Sequence, residues 1–547
     1  MSWPVTRRPA ADAGAGQSSA WFSDHLDQVI REMLRGGARS PPDRDQLTAR
    51  YTRRQADMAV FDLAVVNGTL VIPFVGAVRG DVAVGAGKIV QIADAISPSD
   101  AEAVVDARDK LVFPGGVDAH FHIGIYRPVS GDAESETRSA LVGGVTTVVS
   151  YFRTGSHYLN KTGPYRTIFP EVLAATDGHA FTDYGYHLAI MTSQQIDEVD
   201  WLVSKMGVGS FKYYMFYKGL NLAASSTDAS AYTMSDVYDL GHLYRFMQAV
   251  SAASQKYGSP DGRVSLSIHC EQPEIIRTMI DDVKAAGRDG LAAYSDARPP
   301  FQERLAIAEA ALLADQTRCP VNLLHLSSAE ALAGGLKARL DYPDLDVRLE
   351  TTLHHLCLTT ETARGGIAWG KVNPPIRGAA DAEALWRGVF RGDIEQVVSD
   401  HACCLLEIKQ GGIWQAQPGF GGTALMYPVM VSEGFSRRGL PLRRVAELVA
   451  AQPAQTVGLF PRKGTIALGS DADLAIVDPN LEATVSTERL LSAQDHTTFE
   501  GYPLKGWPTH TIRAGRLVFE HGRVVGQPDG RYLKRPQALH AREAVHP

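Results

Sequence analysis

Long hydrophobic runs are missing from these 547 residues, and no window approaches the ~18 apolar residues that a membrane-spanning helix needs. The first residues, MSWPVTRRPAADAGAG, carry Arg7 and Arg8 with no apolar stretch behind them, so no export signal is read there. Cysteine is scarce. Cys270, Cys319, Cys357, Cys403 and Cys404 make an odd count without CxxC spacing, which excludes a disulfide framework and points to a reducing, cytoplasmic setting. The adjacent Cys403 and Cys404 read as ordinary buried thiols. Charge of one sign is also in short supply: the net value is −7, and no basic stripe is available to follow a phosphate backbone. Neither nucleic acid nor a membrane is an expected partner.

What the chain does have is the balance of a globular protein, with 45% hydrophobic and 21% charged residues. Its length predicts one large catalytic domain with an accessory domain. Residues 1–55 form an extension in which Trp21–Leu34 places Phe22, Leu26, Val29, Ile30 and Met33 at helical spacing, an amphipathic helix suited to a strap or a subunit contact. From residue 56 to 111 the pattern alternates over short runs with Asn67-Gly68 and Gly85-Ala86-Gly87 as turns, the signature of strands. The same texture returns over 460–530, before a short tail at 531–547, and predicts one discontinuous β-sandwich built from both ends. Between them, residues 112–459 alternate strand-like runs with helical ones. TTVVSYF, GYHLAIMT, GSFKYYMFY, VSLSIHCE, PVNLLHLSS, DVRLETTLHH and IEQVVSDHA are such runs. That rhythm predicts α/β architecture, a (β/α)8 TIM barrel.

In such a barrel the chemistry sits where strands end, so polar residues closing apolar runs are the candidates. LVFPGGVDAHFH closes on His120 and His122, two apart and therefore on one side of a strand, as two ligands of one metal require. With 17 histidines in the chain this spacing is weak alone. Lys212 lies inside an apolar, aromatic run. A lysine there ordinarily snorkels outward; the functional alternative is a neutral amine that takes up carbon dioxide and becomes an anionic carbamate bridging two metals. His269 and His325 each end an apolar run, where a single histidine is ordinarily structural. Asp400 ends IEQVVSDHA and can both ligate metal and move protons. Together they compose a two-metal site: His120, His122 and Asp400 on one ion, His269 and His325 on the other, Lys212 between them. Two such ions would lower the pKa of a shared water toward ~7 and polarise a substrate carbonyl. No GxSxG or HExxH motif offers another nucleophile or metal site.

These residues lie within an ordered series of segments: FDLAVVNGTLV, FPGGVDAHFH, ETRSALVGGVTTVVSY, SFKYYMFYK, HCE, RPPFQERLAI, LLHLSSAEAL, LETTLHHL, KVNPPIR, VVSDHA, PGFGGTAL, LFPRKGTIALGSDADLAIVDP and FEG. The series resembles the dihydropyrimidinase and D-hydantoinase family of cyclic amidohydrolases, within the amidohydrolase superfamily, from about Phe61 to Gly526. The resemblance implies the barrel, the sandwich and a carboxylated Lys212. It also implies two divalent ions, with zinc expected and manganese, cobalt or iron suited to the same donors. It assigns to Tyr217 a hydroxyl that supports an oxyanion, to Asn373 a backbone contact with a cyclic imide, and to Asp400 the proton transfer. It implies a hydrolase that opens a small cyclic amide or imide, and a homo-oligomer, tetrameric by family habit.

Three departures bear on substrate. IGIYRPVSGD follows the HxH pair, Phe420 stands where the family tends to carry Asn and borders the expected pocket, and Met426 replaces an acidic residue. Arg127 is out of register for the carboxylate-holding arginine of dihydroorotases. Two rival readings follow: a hydrolase of a lactone, linear amide or unusual imide on the same site, and a scaffold relative that has lost its metals.

Overall fold

The computed structural model describes residues 60–155, 157–217, 238–259 and 262–535. The predicted helix at 21–34, with the rest of the N-terminal extension, lies outside the described residues, as does the tail beyond Arg535.

Five strands open the described chain: β1 (Phe61–Ile72), β2 (Gly76–Gly85), β3 (Lys88–Ala93), β4 (Ala101–Asp106) and β5 (Leu111–Pro114). Nine more form the barrel: β6 (Gly116–His122), β7 (Val145–Arg153), β8 (Asp183–Ala189), β9 (Ser210–Tyr214), β10 (Ser265–His269), β11 (Val321–Leu323), β12 (Val347–Thr352), β13 (Gln396–Val398) and β14 (His401–Ala402). The chain returns through β15 (Leu474–Thr484), β16 (Pro503–Arg513), β17 (Arg516–Glu520) and β18 (Arg523–Val524).

The barrel sheet is parallel throughout, in the order β13-β12-β11-β10-β9-β8-β7-β6-β14. β13 pairs with β12 while β14, three residues on, pairs with β6, so one interrupted strand closes an eight-membered ring. Strands covered on both faces should be apolar throughout, and all nine residues of β7 are buried. Helices fill the crossovers, and their starts are chemically marked. Asp239 accepts hydrogen bonds from the Gly241 and His242 amides ahead of Leu240–Tyr257, and Ser328 accepts from Ala331 N–H ahead of Ala329–Asp341.

The second sheet joins the two chain ends. β15 lies antiparallel to β5, which lies parallel to β1, in the order β18-β17-β16-β15-β5-β1-β2-β3 with β4 on β1. Only Gly115 separates β5 from β6. A Cβ there would sit 2.2 Å from Thr146 Oγ1, so no side chain fits where the chain passes from one sheet to the other.

A buried ionic knot ties these layers. Lys463 Nζ lies 2.7 Å from Asp183 of β8, 2.6 Å from Asp473 and 3.0 Å from Asp471, and Arg513 of β16 reaches Asp183 at 2.9 Å. Removing the Lys463 cation leaves buried Asp473 without an ion-pair partner among the described residues and weakens the hold on Asp183, which keeps Arg513, and on Asp471, which keeps Arg462 and Lys88. Lys463→Met is therefore expected to lower stability by about 3–5 kcal/mol, seen as an earlier midpoint in denaturant.

Candidate active site

The six predicted ligands converge at the carboxyl ends of the barrel strands. On β6, His120 and His122 face inward with ring centroids 5.5 Å apart, while Phe121 between them faces out and stacks on His401. Lys212 projects from the middle of β9. His269 is the last residue of β10, His325 follows β11, and Asp400 occupies the break between β13 and β14. Asp400 and His325 both have positive φ, 51° and 36°, a costly conformation for side-chain-bearing residues that tends to mark functional positions.

The donors are close. Asp400 Oδ1 lies 3.0 Å from His120 Nε2 and 3.2 Å from His122 Nε2. His325 Nε2 is 2.9 Å from His269 Nδ1, and the His120 and His325 rings are 5.3 Å apart. Lys212 is within electrostatic reach of all four imidazoles and of Asp400. Fully buried, it rests 4.2 Å from the Tyr151 ring and 4.6 Å from the Tyr214 ring, with no ion pair among the described residues.

Partners outside the cluster aim the rings inward. Glu350 accepts from His120 Nδ1 at 2.7 Å, which leaves the Nε2 lone pair facing Asp400. Glu271 accepts from His269 Nε2 at 2.7 Å and leaves Nδ1 facing His325; Glu271 is itself gripped by Arg298 at 2.7 Å. Neither acid was singled out from the sequence. The signal was there in HCE and LETTLHHL, a carboxylate inside or just beyond a buried strand, but position alone does not reveal which ring it touches. Glu271→Gln is expected to weaken metal retention about 10–100-fold, measured by competition with a chelator.

The charge states follow from burial and neighbours. Desolvation pushes the Lys212 amine down to about 7, with Asp400 and Glu350 opposing. Burial lowers His122 and His269 to about 4 and His325 further, which keeps these rings neutral at pH 7. His120 rises because Asp400 and Glu350 outweigh its burial, and Asp400 falls well below the carboxylate range because His120 and His122 outweigh its own.

Three neutral imidazoles, a fourth whose Nε2 faces a carboxylate, and a buried amine with a depressed pKa are donors a metal centre can use.

Above the cluster opens a cavity of about 590 Å³. Tyr217 and Asn373 line it, along with Arg153, Tyr158, Arg298 and Lys371. The strand carrying Lys212 stops at Tyr214, and a 3-10 turn at Met215–Tyr217 swings Tyr217 to the wall, beneath the Arg153 guanidinium at 5.4 Å. Asn373 Oδ1 accepts from the Tyr294 hydroxyl at 2.5 Å. Phe420 differs from expectation. Its carbonyl accepts from Ala402 N–H, so it is Gly419 that faces the cavity while the Phe420 ring packs behind the wall, 5.0 Å from His354. Met426 is likewise fully buried away from the opening, and Arg127 is spent on Asp132 and Glu136. Cys403 and Cys404 are buried thiols.

An eight-stranded parallel barrel with this donor set at its mouth defines a metal-dependent hydrolase class, and the comparisons narrow it. Residues 377–518 match the model of the amidohydrolase family. The chain is 31% identical over 491 residues to a D-hydantoinase of Ralstonia pickettii, covering 87% of this chain and 99% of that one. It is 33% identical over 484 residues to an allantoinase of Rubrobacter xylanophilus, covering 88% and 99%. The solved L-hydantoinase (dihydropyrimidinase) of Arthrobacter aurescens superposes with a TM-score of 0.76 at 28% identity, over 87% of this chain and all of that one. The chain belongs to the hydantoinase and dihydropyrimidinase family of the amidohydrolase superfamily, a family of cyclic amidohydrolases with a metal centre. Among the described residues no helix is long and apolar enough to cross a membrane.

Proposed function

We propose that this chain hydrolyses the ring of a cyclic amide or imide of hydantoin or dihydropyrimidine type, releasing an N-carbamoyl product. The observation that carries the proposal is the convergence of four histidines, Asp400 and a near-neutral Lys212 beneath one cavity. His120, His122 and Asp400 would hold one divalent ion, His269 and His325 the other, and carboxylated Lys212 both; zinc suits these donors best, and manganese, cobalt or iron also fit. When bound, such ions lower the pKa of a shared water toward ~7 and polarise a carbonyl.

The protein's own groups do the rest. Tyr217 stands on the wall with its ring held between Phe216 and Arg153, placed to donate its hydroxyl to the oxygen of a carbonyl under attack. Asp400 takes the proton of the attacking water and delivers it to the departing ring nitrogen. Its carboxyl is held well below the carboxylate range by His120 and His122, so it starts as the anion that a proton acceptor must be. Backbone groups at Asn373 border the ring.

Turnover of 5-substituted hydantoins, dihydrouracil, allantoin, a succinimide and a lactone, each read by its own ring-opened acid, tests the assignment, with N-carbamoyl products expected from the first three. Hydrolysis of the lactone alone would overturn it. Tyr217→Phe is expected to lower kcat about 10²–10³-fold with a smaller change in KM, measured on the best of these substrates. The assembly proposed is a cytoplasmic homotetramer. Light scattering from a 59.2 kDa particle would remove the oligomer from the proposal.

A further inference from the structure

From the β16–β17 edge of the second sheet we infer a separate transition-metal site, formed by His510, Glu520 and His521 and independent of the barrel cluster. One ligand atom from each lies within 4.8 Å of the other two. His510 and Glu520 are directly opposed in the antiparallel register, and His521 begins the turn into β18 with φ 44°, its amide tied to Thr509 O at 2.8 Å. The turn therefore fixes the second imidazole beside the first, with ring centroids 4.8 Å apart.

The hydrogen bonds around His510 select the tautomer that binds metal. Thr509 Oγ1 gives its proton to Ile476 O at 3.2 Å and is left to accept from His510 Nδ1 at 2.9 Å. The Nε2 lone pair of His510 then points toward Glu520, whose Oε1 is 3.6 Å away. That separation is long for a hydrogen bond and suits two ligands of one ion at about 2.0–2.2 Å each. Burial, with His521 beside it, holds His510 below its ordinary pKa, so the ring is neutral at pH 7. Around the site runs a groove of about 570 Å³ whose wall carries Asp62 and Asp106 against Lys110 and Arg516, leaving room for water to complete the coordination. Two imidazoles and one carboxylate suit zinc, nickel or copper, not calcium or magnesium. Bound there, the ion would staple the end of β17 and the turn after it to β16.

The test is metal stoichiometry. Protein already loaded with its barrel ions is titrated with Cu²⁺, read by electron paramagnetic resonance, and with Zn²⁺, read by calorimetry. One further ion per chain is expected, with nitrogen coupling in the copper spectrum. His510→Ala/His521→Ala should lose that equivalent, and so should His521→Ala alone, an exposed change that leaves the fold intact; hydantoin turnover should not change in either. Lys212→Ala should still take up the ion, which separates this site from the proposed active site. No uptake beyond the barrel ions, or unchanged uptake in both histidine variants, overturns the inference.

Discussion

Lys212→Ala is expected to empty the barrel cluster of metal and to lower turnover by about 10³–10⁴-fold or more, several kcal/mol of lost stabilisation of the developing charge. The alanine removes a group within reach of all four histidines and Asp400. Metal analysis and kcat on one preparation read both effects. Added formate or acetate supplies a two-oxygen anion of like charge and should restore part of each; a full complement of metal with full turnover in the unrescued variant would displace the whole site. Carbamate formation needs the neutral amine, and burial sets Lys212 near 7. Above that value the amine is free and below it protonated, so the neutral fraction falls about tenfold from pH 8 to pH 6. Metal-free protein supplied with zinc and an equal concentration of dissolved carbon dioxide at each pH should regain activity correspondingly faster at the higher pH.

Asp400→Asn should lower kcat by about 10²–10⁴-fold, the span of a lost general acid–base group, while part of the metal stays on the histidines. Asparagine suits this position because it tolerates the positive φ of 51° better than most residues, so the variant changes charge and not backbone. A kcat within threefold of the parent would mean that another group carries the proton.

The barrel, the two-ended sheet and the six clustered donors were legible in the sequence because each rests on local pattern. His120 and His122 are an alternation, and the remaining four close or interrupt apolar runs. Contacts that depend on closure of the barrel were not legible. Glu350 meets His120 across 230 residues, and Glu271 finds Arg298 only after two intervening helices, Pro273–Ala285 and Gly290–Asp296. Some strand ends were also overread: GSFKYYMFY leaves the sheet at Tyr214, and in LETTLHH the Thr352 hydroxyl caps a short helix at Leu353–Cys357, which removes His354 and His355 from the strand. Phe420 showed why a sequence position near a pocket does not fix a side chain's direction: a backbone bond to Ala402 turns its ring away from the opening.

The break between β13 and β14 places a carboxylate in a backbone geometry where glycine would be more relaxed, at a penalty of order 1 kcal/mol. Variants of codon 400 screened only for heat resistance should therefore drift toward glycine and forfeit catalysis, whereas a screen for product should keep aspartate. At that one position the two selections would pull the population apart.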